Sequence, residues 1–359
     1  MVLDCKYVYT FHNHPTIRPM SATAPPASPQ HLVLPFAQTG GNEDEAPPLA
    51  PWPSPLRQHW PHLHALLQEA RTQTWHRGSL ASRTPPHEWA LAHAQGRLAT
   101  LPARLPDEAT LPWAAWDAAH LLPHAEAAAA WFMPAHQEVG MDHVSLHPPE
   151  TLALDDATSQ QLMQALAPFA LEDGITLHWV SAHRWLAVGD VFTQLTLASP
   201  DRVTSPSGER SIAPWMADLP SSLRRLQTEA QMLFYTHPAH DARVAKHLPP
   251  VNSLWIAGTG AASTSIPSLE PVAVYDRLRA AALSGDARGW LAAWAALDAE
   301  VLPHWLRRAR QGEPVTVSLC GERHILQLGF ISSGSPSGTM QKIKNFFANY
   351  RNKDGMYSL

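Results

Sequence analysis

Thirty-four prolines are spread through the 359 residues, where average usage gives about 18. Proline removes a backbone donor and fixes φ, so it ends helices and stays out of central strands. A chain punctuated this often has many turns and boundaries. It is still a folding chain. Hydrophobic residues make up 45% and charged residues only 16%, enough apolar matter for one or two domains and too little charge for a solvated disordered protein. The two cysteines, Cys5 and Cys320, lie far apart, which excludes a disulfide-stapled scaffold. A formal charge of -5 gives no general attraction to nucleic acid or anionic membrane. The longest apolar run, Ala127–Pro134, is far short of the about 20 residues that a membrane helix needs. These numbers predict a soluble, cytoplasmic protein with no nucleic-acid or membrane partner; they point to no particular protein partner.

The composition breaks near both ends. There are five lysines (Lys6, Lys246, Lys342, Lys344, Lys353), and four of the six tyrosines are terminal (Tyr7, Tyr9, Tyr350, Tyr357). The middle is rich in Ala, Pro, Trp, His and Arg and carries the acidic excess. Residues 1–30 read as a disordered leader, with Met20 as the expected true start. Residues 326–359 read as a linker and atypical tail; the alternative is a terminal helix with Ile343, Phe346, Phe347 and Tyr350 on one face. Between them, 31–125 are expected to form a mainly helical N-terminal portion and 126–325 an α/β core.

Hydrophobic periodicity fills in that frame. His31–Phe36 reads as a short buried strand. A helix is expected from about Leu56 to Arg77, irregular near Pro61. A second follows Thr84 as N-cap and ends near Gly96, and a third covers Trp113–Leu122. "AAWFMPA" and "HVSLH" read as extended. Asp155 or Asp156 caps a helix closed by Gly174. "ITLHWV" and "RWLAV" read as a hairpin. "SSLRRLQTEAQMLFYTHP" is amphipathic, with Leu223, Leu226, Ala230 and Leu233 inward, Arg224, Gln227 and Gln231 outward, and Pro238 as the stop. "PPVNSLWIAGTG" reads as a strand ending in a glycine turn, "EPVAVYD" as another strand, Asp286–Gln311 as a long helix and "PVTVSL" as the last strand. Strands alternating with helices predict an α/β fold, with mixed α+β as its variant: a layered mixed sheet and a largely helical N-terminal portion.

Histidine richness invites a metal. "HQEVGMDHVSLH" brings His136, Glu138, Asp142, His143 and His147; "HPAHD" brings His237, His240 and Asp241. Such ligands suit zinc, manganese or iron. The spacing matches no metal motif: there is no H-E-x-x-H and no cysteine pair. The second chemistry is anion binding. "GTG" at Gly258–Gly260 follows a strand, so free backbone N–H groups there would cradle an anion; the competing reading is a tight turn needing positive φ. Arg224, Arg225, Arg243 and His237 lie close by in sequence. Asn252 opens an apolar strand and, if buried, needs partners, either as a bridge between loops or as a ligand contact. Glu229 and Gln231 raise the same question on the amphipathic helix. The stripe Trp290, Trp294, Leu297, Val301, Trp305 reads as core, and Cys320 as inert. No Gly-x-Ser-x-Gly elbow occurs.

Four segments taken together, "WFMPAHQEVGMDHVSL", "DGITLHWVSAHRWLA", "LRRLQTEAQMLFYTHPAHDAR" and "PPVNSLWIAGTG", resemble the RpfE-type regulatory proteins of proteobacteria. That family is often labelled cofactor-independent phosphoglycerate mutase-like, and the resemblance covers roughly His31–Arg323. "NSLWIAGTG" is similar to an N-x-x-W-x-x-G-x-G segment of archaeal-type mutases, which use a metal pair held by Asp and His and a serine nucleophile. Their first strand runs into an aspartate–glycine metal loop; here "AQTGGNEDE" follows, without that pair. The resemblance implies a relation in fold. Together with the residue readings above, a regulatory or ligand-binding protein is expected, taking a phosphate- or carboxylate-bearing metabolite between the Glu229–Arg243 segment and the Asn252–Gly260 turn. Glu229, Gln231, His237, Arg243, Asn252, Trp255, Gly258 and Gly260 are the expected contacts. The alternative is a metal-dependent phosphotransfer enzyme with Asp142, His143, His237 and Asp241 as metal ligands. No cofactor is predicted, the divalent metal of that alternative aside.

Overall fold

The computed structural model describes residues 29–38, 56–101, 110–122, 128–206, 211–261 and 269–330. The expected leader through residue 28, the Met20 start and the tail from residue 331 lie outside the described residues. The elements run β1 (His31–Leu34), α1 (Leu56–His59), α2 (Pro61–Glu69), β2 (Thr72–His76), α3 (Pro86–Ala94), α4 (Trp113–Leu121), β3 (Ala129–Ala135), β4 (Gln137–Val139), β5 (Val144–Leu146) and α5 (Asp156–Glu172). They continue with β6 (Thr176–Ser181), β7 (Arg184–Val188), α6 (Pro200–Val203), α7 (Ala213–Met216), α8 (Ser221–Thr236), α9 (Pro238–Val244) and β8 (Ser253–Gly260). The last are β9 (Val272–Val274), α10 (Arg277–Leu283), α11 (Ala287–Ala296), α12 (Leu302–Arg310), β10 (Thr316–Cys320) and β11 (Ile325–Gly329). The fold is mixed α/β. It divides into two compact units, one from Met1–Ser79, Pro86–Ala99 and Pro267–Leu359, the other from Leu80–Pro85 and Thr100–Ile266.

The first unit is built on a five-stranded sheet of order β2-β11-β10-β1-β9. β1 is parallel to β10 and β9, while β11 is antiparallel to both β10 and β2. Alternation sorts the side chains. Leu32, Leu34, Val317, Leu319, Leu326 and Leu328 enter one core with Leu63, Leu66, Trp294 and Trp305 from the helices. His31 and Ser318 lie on the opposite pleat and meet, His31 Nε2 to Ser318 Oγ at 2.8 Å. The expected helix to Arg77 stops at Glu69, and Thr72–His76 is strand β2 instead. Its one buried residue, His76, and its pairing with β11 explain why no helical period marks it. The linker expected from residue 326 does not begin there: Ile325–Gly329 is strand β11, because Leu326 and Leu328 alternate into the core beside Phe330. The long C-terminal helix forms, but α11 passes into α12 through a π turn at Leu297–Val301.

The second unit carries an antiparallel sheet of order β6-β7-β3-β8 and a separate two-stranded ribbon, β4–β5. Here too the pleat decides packing. Ala130, Phe132, Trp185, Leu254 and Ile256 face α5 and α8 through Leu162, Leu166, Leu223, Leu226 and Phe234. Trp131, Met133, Leu186, Trp255 and Ala257 face α4 through Ala114, Ala115 and Ala118. The caps of α5 are as the sequence requires: Asp155 accepts from Thr158 N at 2.8 Å to start it, and Gly174 takes φ 73° just past its end. Thr84 is not the N-cap of α3, which starts at Pro86; among the described residues only its backbone is hydrogen-bonded, to Ser82 and Arg202.

The strand β8 does not end in a glycine turn. It runs through Gly258 to Gly260, with Gly260 opposite Ala129 and a register shift in between. Gly258 has φ 61° and Gly260 φ 141°. A Cβ on Gly258 would stand 2.9 Å from Trp131 Cδ1 and 3.2 Å from Trp113 Cβ; one on Gly260 would stand 2.9 Å from Pro112 Cβ. These glycines let the start of α4 lie directly on the strand, which is a packing role.

Candidate functional site

β3 leads straight into the β4–β5 ribbon, so the ribbon's direction is set where β3 ends. Asn252 sets it. Its side-chain Oδ1 accepts from Gln137 N and its Nδ2 donates to Gln137 O, both at 2.8 Å, while its own backbone N donates to Ala135 O at 3.1 Å. The carboxamide thus continues the β3–β8 ladder by one pair, and Asn252 is the bridge between loops. At the ribbon's base His147 N donates to His136 O at 3.0 Å. The two imidazoles stand 4.9 Å apart, His136 Nδ1 meets Pro250 O at 2.9 Å, and His147 Nε2 meets Glu138 Oε2 at 2.7 Å. Burial holds His136 below the usual imidazole range.

So placed, the ribbon walls a cleft of about 460 Å³. One wall is Gln137, Asp142, His143 and Val144. The floor is Ser211–Ala213 with Met216, tied to the ribbon by Ile212 N to Val144 O at 2.9 Å. The other wall is α8, through Arg224, Gln227, Thr228 and Gln231. At the ribbon's tip His143 Nδ1 donates to Asp142 Oδ1 at 2.6 Å, which keeps the Asp142 carboxyl below the usual carboxylate range. Arg224 uses Nη2 on Leu219 O at 3.0 Å and is ion-paired with no described carboxylate. Gln227 departs from the sequence reading: it is only 6% exposed, and its Nε2 donates to Leu254 O at 2.9 Å.

Of the residues expected to bind a ligand, the cleft takes in Gln231 alone. Arg243 is buried; its Nε donates to Pro249 O at 3.0 Å and its Nη2 to Leu152 O, so the guanidinium fastens loops. His237 is the N-cap of α9, its Nδ1 accepting from Ala239 N at 3.2 Å. Glu229 pairs with Arg225, one helical turn back, at 3.7 Å. Trp255 is buried, with Nε1 donating to Ala198 O at 3.0 Å. Asn252, Gly258 and Gly260 have the structural roles described above. Of the candidate metal ligands, Asp142 and His143 are on the cleft, whereas His237 and Asp241 are on α9. Among the described residues no three His, Cys, Asp or Glu side chains are grouped to hold a metal ion.

Sequence reasoning passed over Gln137, Ser211, Ile212, Ala213, Met216 and Thr228. Only α8 offered a signal: Arg224, Gln227, Thr228 and Gln231 recur at three- and four-residue steps beside the apolar stripe, the spacing of one helix face.

No family model matches the chain, and no curated protein matches its sequence. Two solved structures are similar over most of its length. A protein of Pyrococcus horikoshii designated PH0037 is 12% identical, with TM-score 0.40, over 92% of this chain and 99% of its own. A cofactor-independent phosphoglycerate mutase from Thermoplasma acidophilum is 14% identical, with TM-score 0.32, over 91% of this chain and all of its own. Likeness at this level assigns no activity.

Proposed function

We propose that this is a ligand-binding protein that takes a carboxylate- or phosphate-bearing metabolite in the cleft between the β4–β5 ribbon and α8. The observation that carries the reading is Arg224: a guanidinium on the cleft wall with Nε and Nη1 unpartnered among the described residues. A planar, permanently charged fork suits an oxyanion. A regulatory role of the RpfE type follows from the sequence resemblance and belongs to the same proposal. So does a cytoplasmic location; among the described residues no helix is long and apolar enough to cross a membrane. The phosphotransfer alternative needs Asp142, His143, His237 and Asp241 around one metal, and the described residues group no such set.

The test is a melting-temperature screen of the full chain against carboxylates, amino acids, hydroxy acids and phosphoglycerates. Ligand at 100 times its Kd stabilises the native state by about 2.7 kcal/mol. At least one compound raises the melting temperature, and Arg224→Gln removes the shift. No shift from any compound, or a shift that survives in Arg224→Gln, overturns the reading. Stoichiometric manganese or zinc with phosphoglycerate turnover would replace it with the enzyme.

A further inference from the structure

The cleft brings a guanidinium, a buried amide and an apolar patch onto one lining. Gln227 is nine-tenths buried, and its amide orientation is fixed because Nε2 must donate to the Leu254 carbonyl at 2.9 Å. What it brings to the cleft is therefore Oε1, an acceptor. Thr228 spends its hydroxyl proton on Arg224 O at 3.1 Å and keeps only lone pairs. Asp142 is an acceptor as a carboxylate, held by His143 Nδ1 at 2.6 Å. Against these stands, among the described residues, the Arg224 guanidinium on α8. The rest of the lining is mixed: Gln137, His143, Ser211 and Gln231 are polar, and Val144, Ile212, Ala213 and Met216 are apolar.

Resting on the reading that Arg224 takes an oxyanion, we infer that the ligand is an amphipathic zwitterion, an apolar α-amino acid or a short apolar peptide. Its carboxylate meets Arg224. Its ammonium, with three donors and no lone pair, meets Gln227 Oε1, Thr228 Oγ1 and Asp142. Its side chain covers Val144, Ile212 and Met216. A phosphate dianion suits the site less: it faces the Asp142 carboxylate and leaves the buried Gln227 Oε1 without a donor. A simple amine leaves Arg224 unanswered. At about 460 Å³ the cleft is within the size range of small-molecule sites.

Isothermal titration of the full chain with L-phenylalanine and L-leucyl-L-leucine reads this directly. The comparison probes each lack one part: 3-phenylpropionate the ammonium, phenethylamine the carboxylate, glycine the apolar body. Phenylalanine or the dipeptide binds, and each deletion weakens binding by about tenfold or more, the scale of one charge-assisted contact. Tighter binding of the dipeptide identifies a peptide end as the natural form. Asp142→Asn, at an exposed tip where the fold does not depend on it, weakens phenylalanine but not 3-phenylpropionate. Equal binding of phenylalanine and 3-phenylpropionate overturns the zwitterion and leaves the Arg224 reading standing. Binding of a phosphoglycerate but of neither amino compound does the same. If nothing binds, both fall.

Discussion

Gly258 shows how a residue that invites a functional reading can be spent on packing. Its φ of 61° and the 2.9 Å approach of Trp131 Cδ1 to a would-be Cβ are separate constraints on one atom. Gly174 has φ 73° with nothing within 4 Å of its Cβ position, so it isolates the first. Gly174→Ala is expected to cost about 1–2 kcal/mol, the left-handed penalty alone. Gly258→Ala is expected to cost about 3 kcal/mol or more, since overpacking against Trp131 and Trp113 adds to it. Urea midpoints of the two variants, read at equal m-value, give the comparison; equal losses would show that the tryptophan contact yields freely. His31 supplies a pH dependence at the same scale. Burial pushes its imidazole down to about 3, and the neighbouring His93 adds to the effect. The unfolded chain binds this proton near pH 6.5 and the native chain does not, so the stability is complete above 6.5 and falls as pH drops through that window towards about 3. Replacing His31 by Gln, which keeps a group able to reach Ser318 Oγ, makes the stability profile less steep below about pH 6.5. An unchanged slope would show that His31 does not carry it.

At the scale of elements, two side chains take the place of backbone partners. Asn252 pairs with both main-chain groups of Gln137. Asn252→Ala leaves that N–H and C=O without partners, at about 1–3 kcal/mol. Asn252→Asp restores the acceptor but not the donor. Hydrogen exchange of the β4–β5 amides should quicken in Asn252→Ala while the β3–β7 amides hold, because the ribbon is a sheet of its own. Asp298 does similar work in the other unit. The π turn at Leu297–Val301 turns its carboxylate onto the start of α2, where Oδ1 accepts from Leu63 N at 2.7 Å and Oδ2 meets His62 Nδ1 at 3.1 Å. Asp298→Ala is expected to cost about 2 kcal/mol, a lost cap in a buried place, and calorimetry of the thermal transition measures it. The elements themselves were legible where a period was long enough to count. α8 declared its buried face, α5 its caps, and β6–β7 their alternation. β2 did not, because Thr72–His76 buries only His76 and so has no pattern to show. The cleft was less legible still. Gln227 is polar and has the spacing of an outward residue, yet Leu254 O draws its amide in; only the tertiary neighbour reveals a buried polar side chain on the cleft lining.

At the scale of the whole molecule, the connectivity could not be read from any local pattern. β1 lies between β10 and β9, and the hydrogen bond from His31 to Ser318 spans 287 residues of sequence. Local propensity has no term for such a pairing; only the closure of the sheet supplies one. The consequence is testable, because each unit has a core of its own. Ending the chain after Gln311 removes β10 and β11, the two strands that stand between β2 and β1. β1 then loses one of its two neighbours and β2 its only one, and Val317, Leu319, Leu326 and Leu328 leave the core around Trp294. The shortened chain should lose exchange protection throughout His31–Leu34, Pro61–His76 and Arg277–Arg310. It should keep protection in β3, β7 and β8, whose ladder and flanking helices all lie within residues 100–266. Loss of protection in both sets would mean that the second unit's core does not suffice alone. Retention in both would mean that α2, α11 and α12 hold the first unit together without its sheet.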